Sequence, residues 1–132
     1  MHVSGQFDVK LTPQGPEDRA NGSTLGRLSI DKQFHGALEA ASEGQMLSAV
    51  AEASGSAGYV AVERVTGTLG GHRGSFVLQH CGTMSKTGSQ LSITVVPDTG
   101  SGGLVGLSGA MGIRIVEGQH FYDFDFTLPD AR

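Results

Sequence analysis

A single cysteine, Cys81, occurs in the 132 residues, so no intrachain disulfide can brace the fold. Basic residues are equally sparse: nine Lys and Arg are scattered through a chain of net charge −4, without the clustered positive charge that phosphate binding needs, which excludes a nucleic-acid partner. No apolar run approaches the roughly 20 residues that span a bilayer. The N-terminus, MHVSGQFDVKLTP, lacks a basic segment followed by an apolar one. A soluble, cytoplasmic protein with no membrane partner is therefore expected, and in that compartment the Asn21-Gly22-Ser23 sequon carries no meaning.

Signature motifs are missing too. His2, His35, His72, His80 and His120 show neither HExxH spacing nor a Cys/His cluster, so no metal is expected. Gly100-Ser101-Gly102-Gly103 has no lysine and no helix behind it to make a phosphate loop, and Gly106-Leu107-Ser108-Gly109 lacks the glycine at 110 that a nucleophile elbow requires. No cofactor is implied.

Glycine, by contrast, is abundant: 21 residues in 132 is more than twice the usual share of about 7%. Because glycine is costly inside helices, the excess argues for turns, bulges and strands. One domain's length, burying roughly two thirds of its unfolded surface, suffices for a single core spanning residues 1–132.

Alternation of period two runs along most of the chain. Phe7, Val9 and Leu11 share a face of a first strand ended by Pro13, and a polar loop reaches to about Ser23. From Thr24 to Phe34, Leu28, Ile30 and Phe34 oppose Arg27, Ser29, Asp31 and Gln33. Residues 37–54 contain strong helix formers, but Gly44 in their middle and strands on both sides favour two short strands or one bent strand. Tyr59–Leu69 and Arg73–Met84 form a hairpin about Gly70-Gly71. Gln90–Val96 presents Leu91, Ile93 and Val95 on one side, the loop PDTGSGG follows, and Leu104–Val116 and Gln119–Leu128 pair about Glu117-Gly118. Glycines 103, 106, 109 and 112 suggest repeated bulges, or close backbone approach where the barrel curves or a second subunit packs. About eight strands on short turns favour an all-β, eight-stranded antiparallel up-and-down barrel over a two-sheet sandwich.

Three stretches carry a resemblance: GSAGYVAVERVTGTLGGHRGSFVLQH from Gly55 to His80, VVPDTGSGGLVGLSGAMGIRI from Val95 to Ile115, and HFYDFDFTL from His120 to Leu128. Together they resemble the domain-of-unknown-function family 3224, over nearly the whole chain. The resemblance implies a calycin-like, allene oxide cyclase-like barrel, similar also to dirigent proteins and to the barrel cyclases of spirotetronate biosynthesis, and it carries over no catalytic residue. The chain departs from the family's pattern in the PDTGSGG loop and at Cys81, where a small polar residue is more usual.

Parity locates candidate chemistry, since alternate residues of a barrel strand face the lumen. Asp123 and Asp125 belong in water, which turns His120, Tyr122 and Phe124 inward. His80 goes in with Phe76 and Leu78, and Tyr59 and Glu63 share the inward face of their strand. Glu63, His80 and His120 are the candidate acid–base residues, and Tyr59, Phe76, Leu78, Tyr122 and Phe124 the candidate ligand-binding walls for a small apolar or oxygenated molecule. The same polar set also reads as a structural network that satisfies buried groups. Outward Val60, Val62, Val77 and Val96 point to a homo-oligomer contact or a partner surface, and Cys81 reads as a packed or interfacial thiol.

Overall fold

The computed structural model describes residues 1–129, and its element order is all β. Strands β1 (His2–Pro13), β3 (Ser23–Phe34), β4 (Leu38–Ala51), β5 (Ala57–Leu69), β6 (His72–Ser85), β7 (Gly88–Val95), β9 (Ser108–Val116) and β10 (Gln119–Thr127) follow one another around a ring, each antiparallel to the next. Pairing of β1 with both β3 and β10 closes the ring into an eight-stranded barrel. Two short elements, β2 (Asp18–Ala20) against β3 and β8 (Ser101–Gly102) against β6, lie off it. Among the described residues no helix is long and apolar enough to cross a membrane.

The alternation seen in the sequence becomes inside and outside. On β5, Ala61, Glu63 and Val65 are buried while Val60, Val62 and Arg64 are exposed. The helix-prone 37–54 segment forms one continuous strand over Leu38–Ala51, and its central glycine explains why: a Cβ at Gly44 would collide with the Val62 carbonyl oxygen and lie 2.7 Å from Cβ of its register partner Glu63. Only glycine lets β4 coil this closely over β5.

Three stretches differ from the sequence expectation. The 13–23 region is not all loop, because Asn21-Gly22 adopts positive φ at both residues and turns β2 back onto β3, the hairpin that Asn-Gly encodes. Residues 104–107, expected to open the strand that runs to Val116, do not belong to it, and β9 begins at Ser108. With the preceding loop they fold over one end of the barrel, held by the pairing of β8 with Gly74 and Ser75 of β6 and by insertion of Leu104 and Leu107 into the core. Leu91 keeps the parity of Ile93 and Val95 but is exposed, because β7 and β9 pair only at Ile93–Met111 and Thr94–Ala110 and splay apart beyond.

The barrel is thus closed at one end and open at the other. Phe34, Leu38, Leu69, Phe76, Phe124 and Leu104 plug the closed end. Tyr122 ties its strand there, its hydroxyl donating to the His35 carbonyl oxygen at 2.9 Å and accepting from the Leu38 amide at 3.1 Å.

Candidate functional site

At the open end the inward positions change character. Val9, Leu28, Met46, Tyr59 and Ile113 are all half-buried, forming a layer that the lumen leaves partly uncovered. The splayed β7–β9 seam widens this layer into a cavity of about 650 Å³, walled by Met46, Ser48, Tyr59, Leu91, Ile113 and Ile115. Among the described residues none that line it carries a charge.

Immediately beneath lies a buried polar network drawn from four consecutive strands. Lys32 of β3 donates to Glu63 Oε2 at 2.8 Å, and Ser42 of β4 donates to Glu63 Oε1 at 2.6 Å. His80 Nε2 of β6 stands 2.5 Å from the same Oε2, and its Nδ1 is 3.2 Å from the Tyr59 hydroxyl. Tyr59 therefore belongs to both the cavity wall and the network. Lys32 also lies over the rings of Phe7 and Phe34, at 5.1 and 5.6 Å, so its charge is held by a carboxylate and two aromatic faces.

The electrostatics follow from this packing. Glu63 is 1% exposed, and burial by itself would push its carboxyl up. The hydrogen bond to His80, the charge and hydrogen bond of Lys32 and the Ser42 hydroxyl outweigh burial and hold it at about 2. Tyr59 moves the other way: burial, then the negative charge of Glu63, then Cys81 raise its phenol, which stays protonated. The network is an oriented imidazole between an ionised carboxylate and a neutral phenol, able to receive or pass a proton at the cavity wall.

Of the residues expected from the sequence, Glu63, His80 and Tyr59 come together here. His120 is apart: β10 stands four places from β5 in either direction around the ring, so His120 sits on the opposite wall, half-buried, with its ring 5.2 Å from Phe7, and it does not line the cavity that Tyr59 lines. Among the described residues no hydrogen bond links it to the network. Phe76, Leu78, Tyr122 and Phe124 are fully buried core side chains, away from the open cavity. Cys81 is exposed on the outer face, not packed.

Sequence reasoning passes over Lys32 and Ser42. A signal for Lys32 is there, since it sits between Ile30 and Phe34 on the inward face of β3. A lysine flanked by core residues on both sides of its own parity demands a buried partner. Among the described residues no group of three or more His, Cys, Asp or Glu is placed to hold a metal.

A family model described as "Protein of unknown function (DUF3224)" matches residues 3–126. The crystal structure of a protein with unknown function from the same family, from Shewanella oneidensis MR-1, is similar along its length: 52% identity over 99% of this chain and 98% of that one, with a TM-score of 0.93. No curated protein matches.

Proposed function

The chain belongs to the DUF3224 family, whose description names no activity, and from the geometry of its own barrel we propose that it binds a neutral, largely apolar small molecule in the open mouth, with the molecule's polar group at Tyr59. One observation carries this reading: among the described residues the wall of a cavity of about 650 Å³ carries no charge and has a single residue, Tyr59, that is hydrogen-bonded to the buried His80–Glu63–Lys32 network. Few convergent polar groups in an apolar concavity are what small-molecule sites have in common, and the mouths of β-barrels are a usual place for them. The reading accords with the allene oxide cyclase-like, calycin-like barrel that the family resemblance implies.

Isomerisation of the bound molecule is the activity that goes with this site. A carboxylate orients an imidazole, and the imidazole exchanges a proton with a hydroxyl that meets the ligand, the order of groups used in acid–base catalysis.

The test is titration with a neutral fluorescent probe, N-phenyl-1-naphthylamine, read by its emission. Saturable binding that Ile113→Lys and Met46→Arg abolish without lowering the melting temperature is the expected result. Binding that both variants leave unchanged would place the probe elsewhere and overturn the proposal.

A second reading, a non-catalytic barrel that assembles with copies of itself, is favoured by Leu47 and Val60, register partners on the outer face, and by Val62 beside them, at 56%, 49% and 52% exposure. Sedimentation of wild type and Val60→Asp tests it. A monomer at high concentration in both would dismiss it.

A further inference from the structure

The hydrogen-bond network also sets the polarity of the mouth. Resting on the small-molecule reading above, we propose that Tyr59 presents a hydrogen-bond acceptor to the cavity, so that the site selects a neutral apolar molecule carrying a donor, an alcohol above all, over the corresponding ketone, ether or ester.

The proton positions follow outward from Glu63. Its two oxygens receive three neighbours, and one of them, Lys32, can only donate. A carboxyl buried at 2.8 Å from an ammonium is ionised, and an ionised carboxylate only accepts. His80 Nε2, at 2.5 Å from Oε2, must therefore carry its proton. Lys32 and Glu63 already cancel, so a second proton on His80 would bring an uncompensated positive charge into a site where the imidazole side chain is only 4% exposed. The neutral ring leaves a lone pair on Nδ1, and the Tyr59 O–H, 3.2 Å away, fills it. Among the described residues Tyr59 makes no other hydrogen bond, so the free lone pair of its oxygen is what the cavity meets. Burial keeps the proton on that phenol by raising it.

An alcohol O–H can donate to this oxygen while the Tyr59–His80 bond stays made. A ketone can be hydrogen-bonded there only if Tyr59 turns its proton outward, leaving Nδ1 buried without a partner, and otherwise enters with its own oxygen as the orphaned acceptor. The cost of that orphaned acceptor translates into alcohol binding about 10- to 100-fold tighter than its ketone.

Displacement of N-phenyl-1-naphthylamine by matched pairs reads this directly: borneol against camphor, and 4-tert-butylcyclohexanol against its ketone. In wild type the alcohols should displace the probe at about 10- to 100-fold lower concentration. In Tyr59→Phe the two members of each pair should become equal. In His80→Leu, where the phenol proton is free to turn outward, the preference should collapse or reverse, and Tyr59→Phe keeps the comparison decisive should His80→Leu fail to fold. Equal displacement by alcohol and ketone in wild type, or a preference that survives in Tyr59→Phe, would overturn the polarity while leaving the mouth as a binding site. No displacement by any of the four would overturn the mouth reading, and the polarity with it.

Discussion

Replacing Glu63 by glutamine removes one charge and leaves the side chain's shape, and the consequences can be worked through from the contacts. In the wild-type fold the carboxyl is held at about 2 against an ordinary 4.5. That difference corresponds to about 3 kcal/mol of folding stability. Because the folded value lies below the unfolded one, the contribution is complete above the unfolded value, is lost as pH falls between them, and is gone near pH 2. In Glu63→Gln this acid-dependent contribution disappears. At neutral pH the loss is felt through Lys32, whose ammonium, its side chain 5% exposed, is left with no carboxylate beside it. Breaking a buried pair in this way costs about 3–5 kcal/mol. A chain of 132 residues unfolds with an entropy of about 0.28 kcal/mol/K, so the melting temperature should fall by about 11–18 °C at neutral pH. Adding Lys32→Met should restore most of the loss, because the new amide side chain can still accept from His80 and donate to the Ser42 hydroxyl while no charge is left unpaired. Thermal unfolding of the wild type, the two single variants and the double variant, followed by circular dichroism from pH 2 to 7, measures each of these quantities. A double variant as unstable as Glu63→Gln, or a Glu63→Gln variant that keeps the acid slope of the wild type, would refute the reasoning.

Three further outcomes are expected. The chain has two tyrosines and no tryptophan, and both phenols are raised by burial, so ultraviolet titration of the folded protein should show both ionising above pH 10 and returning to about 10 in guanidinium; a phenol ionising early in the folded state would contradict the buried placement of Tyr59. Gly44→Ala should lose about 1–3 kcal/mol in urea unfolding, because its Cβ runs into the Val62 carbonyl, whereas Gly112→Ala, with open space around its Cβ, should change stability by less than about 0.5 kcal/mol. Leu104→Ala should cost about 2–5 kcal/mol by opening the closed end, yet leave probe binding at the opposite mouth unaltered, as titration at a temperature where the variant is folded will check.

The conformation of most of the chain is a local matter and can be read locally. Val60-Ala61-Val62-Glu63-Arg64-Val65 alternates strictly, and positive φ at Gly70 and Gly71 turns it into the next strand as their sequence suggests. Parity alone places Glu63 and His80 inward, and the burial of both agrees with that of their neighbours. Leu104 and Leu107 mislead, because apolar residues spaced by glycines look alike whether they pair in a sheet or plug a barrel end. Parity also groups His120 with Glu63 and His80, since it distinguishes inside from outside but says nothing of position around the ring or along its axis.

The eight barrel strands, most of the turns between them and the side of each strand that faces inward are legible in the sequence, because period-two alternation and positive-φ turns depend on residues a few places apart. Only the tertiary structure decided which inward groups meet. Lys32, Ser42, Glu63 and His80 come from four strands, and their convergence depends on the stagger that closure of the eight-stranded ring imposes across successive registers. The opening of the mouth is decided there as well: β7 and β9 share two paired positions before they diverge, and that gap exposes Tyr59 to a ligand-sized space. Neither the stagger nor the gap is written in any one segment, since both arise from the requirement that the last strand meet the first.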